Sequence, residues 1–136
     1  MDMETICEFI TKSEGISTAK VQMDSDMNDD LGIDGDDFSE LMEKFEKEFG
    51  VNMEKYRWYF HHGEEGWSLG GLFFKPPYAR VQRIAVTPML LLQAAEAKEW
   101  PITYPEHILP KRRYDILINQ IALVGLVIWG SAWLFA

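Results

Sequence analysis

The chain has 136 residues, 47% of them hydrophobic and 13% aromatic, and a formal net charge of −9. That content suits a packed core, and the length suits one small domain with an appendage; global disorder is excluded. Residues 1–65 carry 18 acidic against 6 basic side chains and residues 66–136 carry 4 against 7, so the first half would repel nucleic-acid phosphates and suits a basic protein surface instead.

The first residues, Met1-Asp2-Met3-Glu4, lack the basic and apolar stretches of a secretory signal. Met3, Ile6, Cys7, Phe9 and Ile10 then recur near helical spacing, predicting an amphipathic helix over 3–13. Cys7 is the sole cysteine, so no intrachain disulfide can form, and its place on the stripe marks it as a small core residue. Residues 14–33 are polar and turn-rich and predict a long loop, pinned to the core by Val21, Met23, Met27, Leu31 and Ile33. Asp24-Ser25-Asp26-Met27-Asn28 begins like a calcium loop. The sixth and twelfth positions, which need Gly and Glu, are Asp29 and Gly35, so the sharp turn and the bidentate ligand are both missing.

The clearest helix spans 36–49, where Phe38, Leu41, Met42, Phe45 and Phe49 line one face. Asp34, Asp36 and Asp37 crowd its start, where carboxylates can accept free backbone N–H groups, and Asp37 with Glu40 has capping-box-like spacing. Gly50 stands where a left-handed cap would end it. Residues 53–62 predict a short third helix with Tyr56, Trp58, Tyr59 and Phe60 on its aromatic face. Neighbouring His61 and His62 point apart on a helix and do not share a ligand. Residues 63–86, rich in Gly and Pro, read as an insertion with a short strand at 80–86. Thr87-Pro88 is an N-cap followed by proline at the first helical position. The helix it opens runs to about Trp100, with Leu91, Leu92, Ala95 and Met89 inward, and Pro101 ends it. Residues 101–115 read as a linker.

Residues 116–136 hold 21 residues without a charge. As a helix they would be roughly 30 Å long, the thickness of a bilayer's hydrocarbon core. Tyr114 marks the near interface and Trp133 the far one, while Lys111, Arg112 and Arg113 precede the span and place the amino-terminal domain in the cytoplasm. The pattern is that of a tail-anchored, single-pass membrane protein whose partner is the lipid bilayer.

Asp30-Leu31-Gly32-Ile33-Asp34-Gly35-Asp36-Asp37 and the acidic helix ending Glu48-Phe49-Gly50-Val51 resemble the modification loop and second helix of an acyl or peptidyl carrier protein. That family's pattern is D-L-G-x-D-S-L-D. Gly35-Asp36-Asp37 and Leu92-Gln93-Ala94-Ala95 before Trp100-Pro101 sharpen the likeness toward bacterial carrier-like proteins of unknown function. The resemblance implies a mostly all-α, acyl-carrier-like four-helix bundle over residues 1–100; the insertion at 63–86 and the carboxyl-terminal transmembrane helix, expected in a bacterial inner membrane, lie outside the carrier pattern. It also implies that the serine bearing phosphopantetheine is replaced by Gly35, which has no hydroxyl, so no cofactor is expected; Ser39, one turn on, is the alternative attachment point. In the family, the acidic helix face meets basic partner enzymes, which makes Asp36, Asp37, Glu40, Glu43 and Glu46 the candidate docking residues.

With no convergent acid, base and nucleophile set in view, the reading is a non-catalytic, membrane-tethered carrier-like interaction or regulatory module. The alternatives are a carrier modified at an unconventional residue and a small membrane protein that acts through its span.

Overall fold

The computed structural model describes all of residues 1–136. The chain is mostly helical, without β-strands: α1 (Met3–Glu14), α2 (Gly35–Phe49), α3 (Pro88–Ala97) and α4 (Tyr114–Leu134), with single 3₁₀ turns at Thr18–Lys20, Trp58–Phe60, Gly70–Leu72 and Pro77–Ala79.

Helix α1 begins where the Asp2 carboxylate accepts the Thr5 N–H at 2.9 Å and ends at Gly15, whose φ of 65° turns the chain out. It packs on both α2 and α3. Ile6 and Ile10 are fully buried, and the Phe9 ring lies 6.0 Å from that of Phe45 and 5.3 Å from that of Phe49. Cys7 is partly buried against this core, and burial pushes its thiol pKa up. In the loop that follows, Val21, Met27 and Ile33 are buried as expected. Met23 is half exposed instead; its backbone, not its side chain, does the pinning, because its carbonyl accepts the Met89 N–H at 3.1 Å. The carboxylates of the calcium-like stretch have other work. Asp26 accepts both Arg83 guanidinium nitrogens, at 3.1 and 2.7 Å, and Asp29 accepts one at 2.9 Å.

Helix α2 buries Phe38, Leu41, Met42, Phe45 and Phe49 on one face, and Gly50 closes it with φ 61°. The capping box does not form: Asp34 is the N-cap, which puts Asp37 inside the first turn, and Asp34 spends Oδ1 on the Gly63 N–H at 3.1 Å. The third helix over 53–62 is also corrected, since only the 3₁₀ turn Trp58–Phe60 is present. Its rings are recruited sideways into stacks, Tyr56 on His61 at 5.3 Å and Phe60 on Tyr104 at 4.7 Å, rather than onto one helix face. No strand forms at 80–86, because no neighbour offers a continuous edge: Ile84 gives one bond to Phe60 and Val86 receives one from Met27. Thr87 caps α3 as expected, accepting the Leu90 N–H. Helix α3 stops at Ala97, three residues before Trp100, because Lys98 adopts φ 60°. The Lys98 ammonium then donates to the Phe49 carbonyl at 2.7 Å, closing the end of α2.

Residues 101–113 run over the aromatic cluster. The Tyr104 hydroxyl accepts N–H groups from Arg57 at 3.2 Å and Trp100 Nε1 at 2.8 Å. It is 2.7 Å from His61 Nε2, while His61 Nδ1 lies 2.8 Å from the Ile84 carbonyl. A carbonyl only accepts, so Nδ1 carries the proton and Tyr104 donates its own hydrogen to Nε2. Burial, ahead of the neighbouring His62 and Arg83 charges, pushes the His61 pKa down to about 4.

Candidate functional site

Gly35 opens α2 with φ 54° and is buried. A side chain there would be strained in the left-handed region, and its Cβ would overlap the Glu65 side chain. Glu65 is exposed and can swing aside, so the backbone angle is the stronger reason for glycine. Around Gly35 lies an open cleft of about 180 Å³ lined by Asp36, Ser39, Trp58, His62 and Glu64. Ser39 is half buried, and its Oγ lies 3.4 Å from Nε2 of His62, whose Nδ1 is 2.7 Å from the Gly63 carbonyl. His62 therefore presents a bare Nε2 to the hydroxyl. The Phe38 ring stacks on the other side of the imidazole at 4.8 Å.

From this cleft the outer face of α2 runs down through Asp36, Asp37, Glu40, Glu43 and Glu46, all exposed. None forms an ion pair, although five carboxylate–cation pairs occur elsewhere. Glu14, at the end of α1, joins this face. Its carboxyl is raised by burial first, then by the neighbouring Asp37 charge, against which Lys44 pulls down and Glu40 adds a smaller push up. Nothing in the linear pattern pointed to Glu14, because only the packing of α1 on α2 brings it there.

The second feature is the base of α4. Arg113 holds both Asp115 oxygens, at 3.0 and 2.7 Å, and reaches Glu64 at 2.7 Å. Asn119 Oδ1 accepts the Gly70 N–H at 2.7 Å, and Asn119 Nδ2 donates to Ser68 Oγ at 3.0 Å. The backbones touch here: a Cβ on Gly70 would overlap the Asp115 carbonyl. Tyr114 packs on Phe74 at 5.3 Å, while Lys111, Arg112 and Trp133 are exposed. Helix α4 is long and apolar enough to cross a membrane, and its apolar window is unburied. Residues 63–86 read in sequence only as an insertion, so their pairing with Asn119 was out of reach.

A family described as protein of unknown function (DUF1493) matches residues 4–102. The chain belongs to this family. No acyl carrier family matches, which corrects the resemblance drawn from Asp30–Asp37; of the fold expectation, the mostly helical chain with one apolar carboxyl-terminal helix stands. Local geometry accounts for the likeness. Gly32 sits at φ 69° and Asp34 at an N-cap, so the shared letters spell a turn and a helix start, which unrelated chains need equally. Neither a curated protein nor a solved structure matches the chain. The DUF1493 match takes in α1–α3, the cleft at Gly35 and residues 63–86, and leaves α4 outside.

Proposed function

We propose that this DUF1493 protein is a non-catalytic interaction module held at a membrane, with its helical head in the cytoplasm. One observation carries the reading: the acidic face of α2 is exposed and unpaired on a head that is hydrogen-bonded to an apolar, unburied helix and ion-paired, through Glu64, to Arg113 at its start. In water, the exposed Ile121, Leu123, Val124, Leu126, Val127 and Ile128 would form an apolar patch that soluble proteins avoid. In a bilayer they face lipid. Lys111, Arg112 and Arg113 at the near end favour the cytoplasmic side for the head. The face formed by Glu14, Asp36, Asp37, Glu40 and Glu43 is then turned to a basic protein surface, where rim charges mainly govern the rate and selectivity of encounter.

A photo-crosslinking residue at Glu40, in the full chain in its host membrane, tests this. The expected result is a protein adduct of one defined mass that Glu43→Lys together with Asp37→Lys abolishes and that raised salt weakens. An adduct unchanged by charge reversal, or no adduct, overturns the docking assignment.

A further inference from the structure

We propose that residues 67–80 form a collar lying in the lipid headgroup layer around the first turns of α4, and that an anionic phospholipid headgroup binds there against Lys75, Arg80 and Arg112. This deepens the membrane-held reading and rests on it.

The collar is fixed in depth by its bonds to the span. Asn119 lies five residues beyond Tyr114, about 7.5 Å along the axis at the ordinary helical rise, and it is the residue that grips Gly70 and Ser68. The headgroup layer is roughly 5–7 Å thick on each side of the hydrocarbon core. With Tyr114 at the outer edge of that layer, a loop gripped at Asn119 lies near the boundary between headgroups and acyl chains. The grip also gives the Asn119 amide its partners before it meets lipid, where an unsatisfied amide is costly.

The surface of the loop suits that depth. Trp67 is 80% exposed, Leu72 72% and Phe73 69%, with Phe74 and Tyr78 also turned out. Away from this loop and residues 114–136, the only large apolar side chains so exposed are Met1, Met23 and Ile108, which stand singly in sequence. Such a run would be a liability in water, but it extends the apolar surface of α4 and supplies the aromatic residues of a membrane interface.

The charge beside it is complementary to lipid. A cavity of about 100 Å³ opens between Phe74, Lys75, Arg80, Arg112 and Tyr114. Arg113 and Asp115 also border it but neutralise each other. Lys75, Arg80 and Arg112 are exposed and have no carboxylate partner. Three uncompensated cations at headgroup depth, on a chain of net charge −9, match a lipid phosphate.

The test uses the full chain carrying Cys7→Ala and Phe73→Cys, reconstituted in nanodiscs of phosphatidylcholine with or without phosphatidylglycerol. Reaction of the introduced thiol with an impermeant maleimide is expected to be at least roughly tenfold slower than that of a thiol introduced by Glu43→Cys, as burial at the interface requires. Native mass spectrometry should show phosphatidylglycerol retained over phosphatidylcholine. The variant Lys75→Gln/Arg80→Gln/Arg112→Gln should lose that preference by roughly fivefold per cation removed, with resistance to alkaline carbonate extraction unchanged. Equal thiol reactivity or no lipid preference, in a chain that resists extraction, overturns the collar while leaving the span standing. Extraction by carbonate defeats the span and the collar with it.

Discussion

Between α1, α2 and α3 the contacts are apolar and redundant: Ile6, Ile10, Phe38, Leu41, Phe45 and Leu91 are each essentially removed from solvent in one shared core. At the base of α4, beside the Phe74–Tyr114 ring contact, the ties are polar: a side-chain amide, a serine hydroxyl, one arginine and a glycine that lets two backbones touch. The first kind of contact is non-directional and scales with area. The second depends on distance and angle, and one missing partner leaves a polar group unsatisfied. The head should therefore yield gradually to substitution, and the junction should fail at single atoms.

The strongest test of the first half of this contrast is Phe45→Ala. Phe45 is fully buried and ringed by Phe9 and Phe49, so chemical denaturation of the head in detergent should show a loss of about 3–5 kcal/mol. A loss near zero would mean the core is not the head's main support.

Acid should come next. The His61 pKa is depressed to about 4 from 6.5, so its contribution to stability is present above pH 6.5 and is lost as pH falls through about 4. The loss should be about 3 kcal/mol. Protonation at Nε2 would also give the Tyr104 oxygen a third donor, beside Arg57 and Trp100. Glu14 titrates with the opposite sign, since its carboxyl is raised in the folded state; the difference between the native chain and His61→Gln isolates the histidine. Parallel stability curves for the two across that pH range would refute the assignment.

Gly35→Ser restores a hydroxyl at the head of α2 and should cost about 1–2 kcal/mol, because serine must occupy φ 54°. A stabilised variant would show that the backbone relaxes there at little cost. Gly70→Ala should have the smallest effect on the stability of the head, within about 0.5 kcal/mol as for a substitution away from the core. It should still detach the junction, read as faster exchange of the backbone amide at position 70, whose N–H Asn119 accepts in the native chain. If Gly70→Ala unfolds the head along with the junction, the two regions are one cooperative unit and the contrast fails.

How much of this was legible depends on the range of the forces involved. The periodic faces of α1, α2 and α3, the Thr87–Pro88 start and the Gly50 cap were readable, since each follows from residues within a turn or two of one another. The aromatic run at 56–60 misled as a helix, because its rings find partners at Trp100, Tyr104 and His107 instead. The eight letters from Asp30 to Asp37 misled about kinship, because local turn geometry alone calls for them. Of the site, the acidic residues of α2 and the basic flank of α4 could be named in advance. Glu14, Asn119 and the collar could not.

By itself the sequence determined an acidic helical head with a regular apolar face and a carboxyl-terminal helix apolar enough to cross a membrane, because hydrophobic periodicity and charge are additive along the chain. Only the tertiary structure decided that Gly35 is held in a left-handed turn, that His61 and Tyr104 share a proton-ordered contact, and that residues 67–80 grip α4 at Asn119. Those features rest on short-range directional bonds between residues 43 to 49 positions apart and on a backbone angle set by its surroundings, and neither leaves a periodic trace in the order of the amino acids.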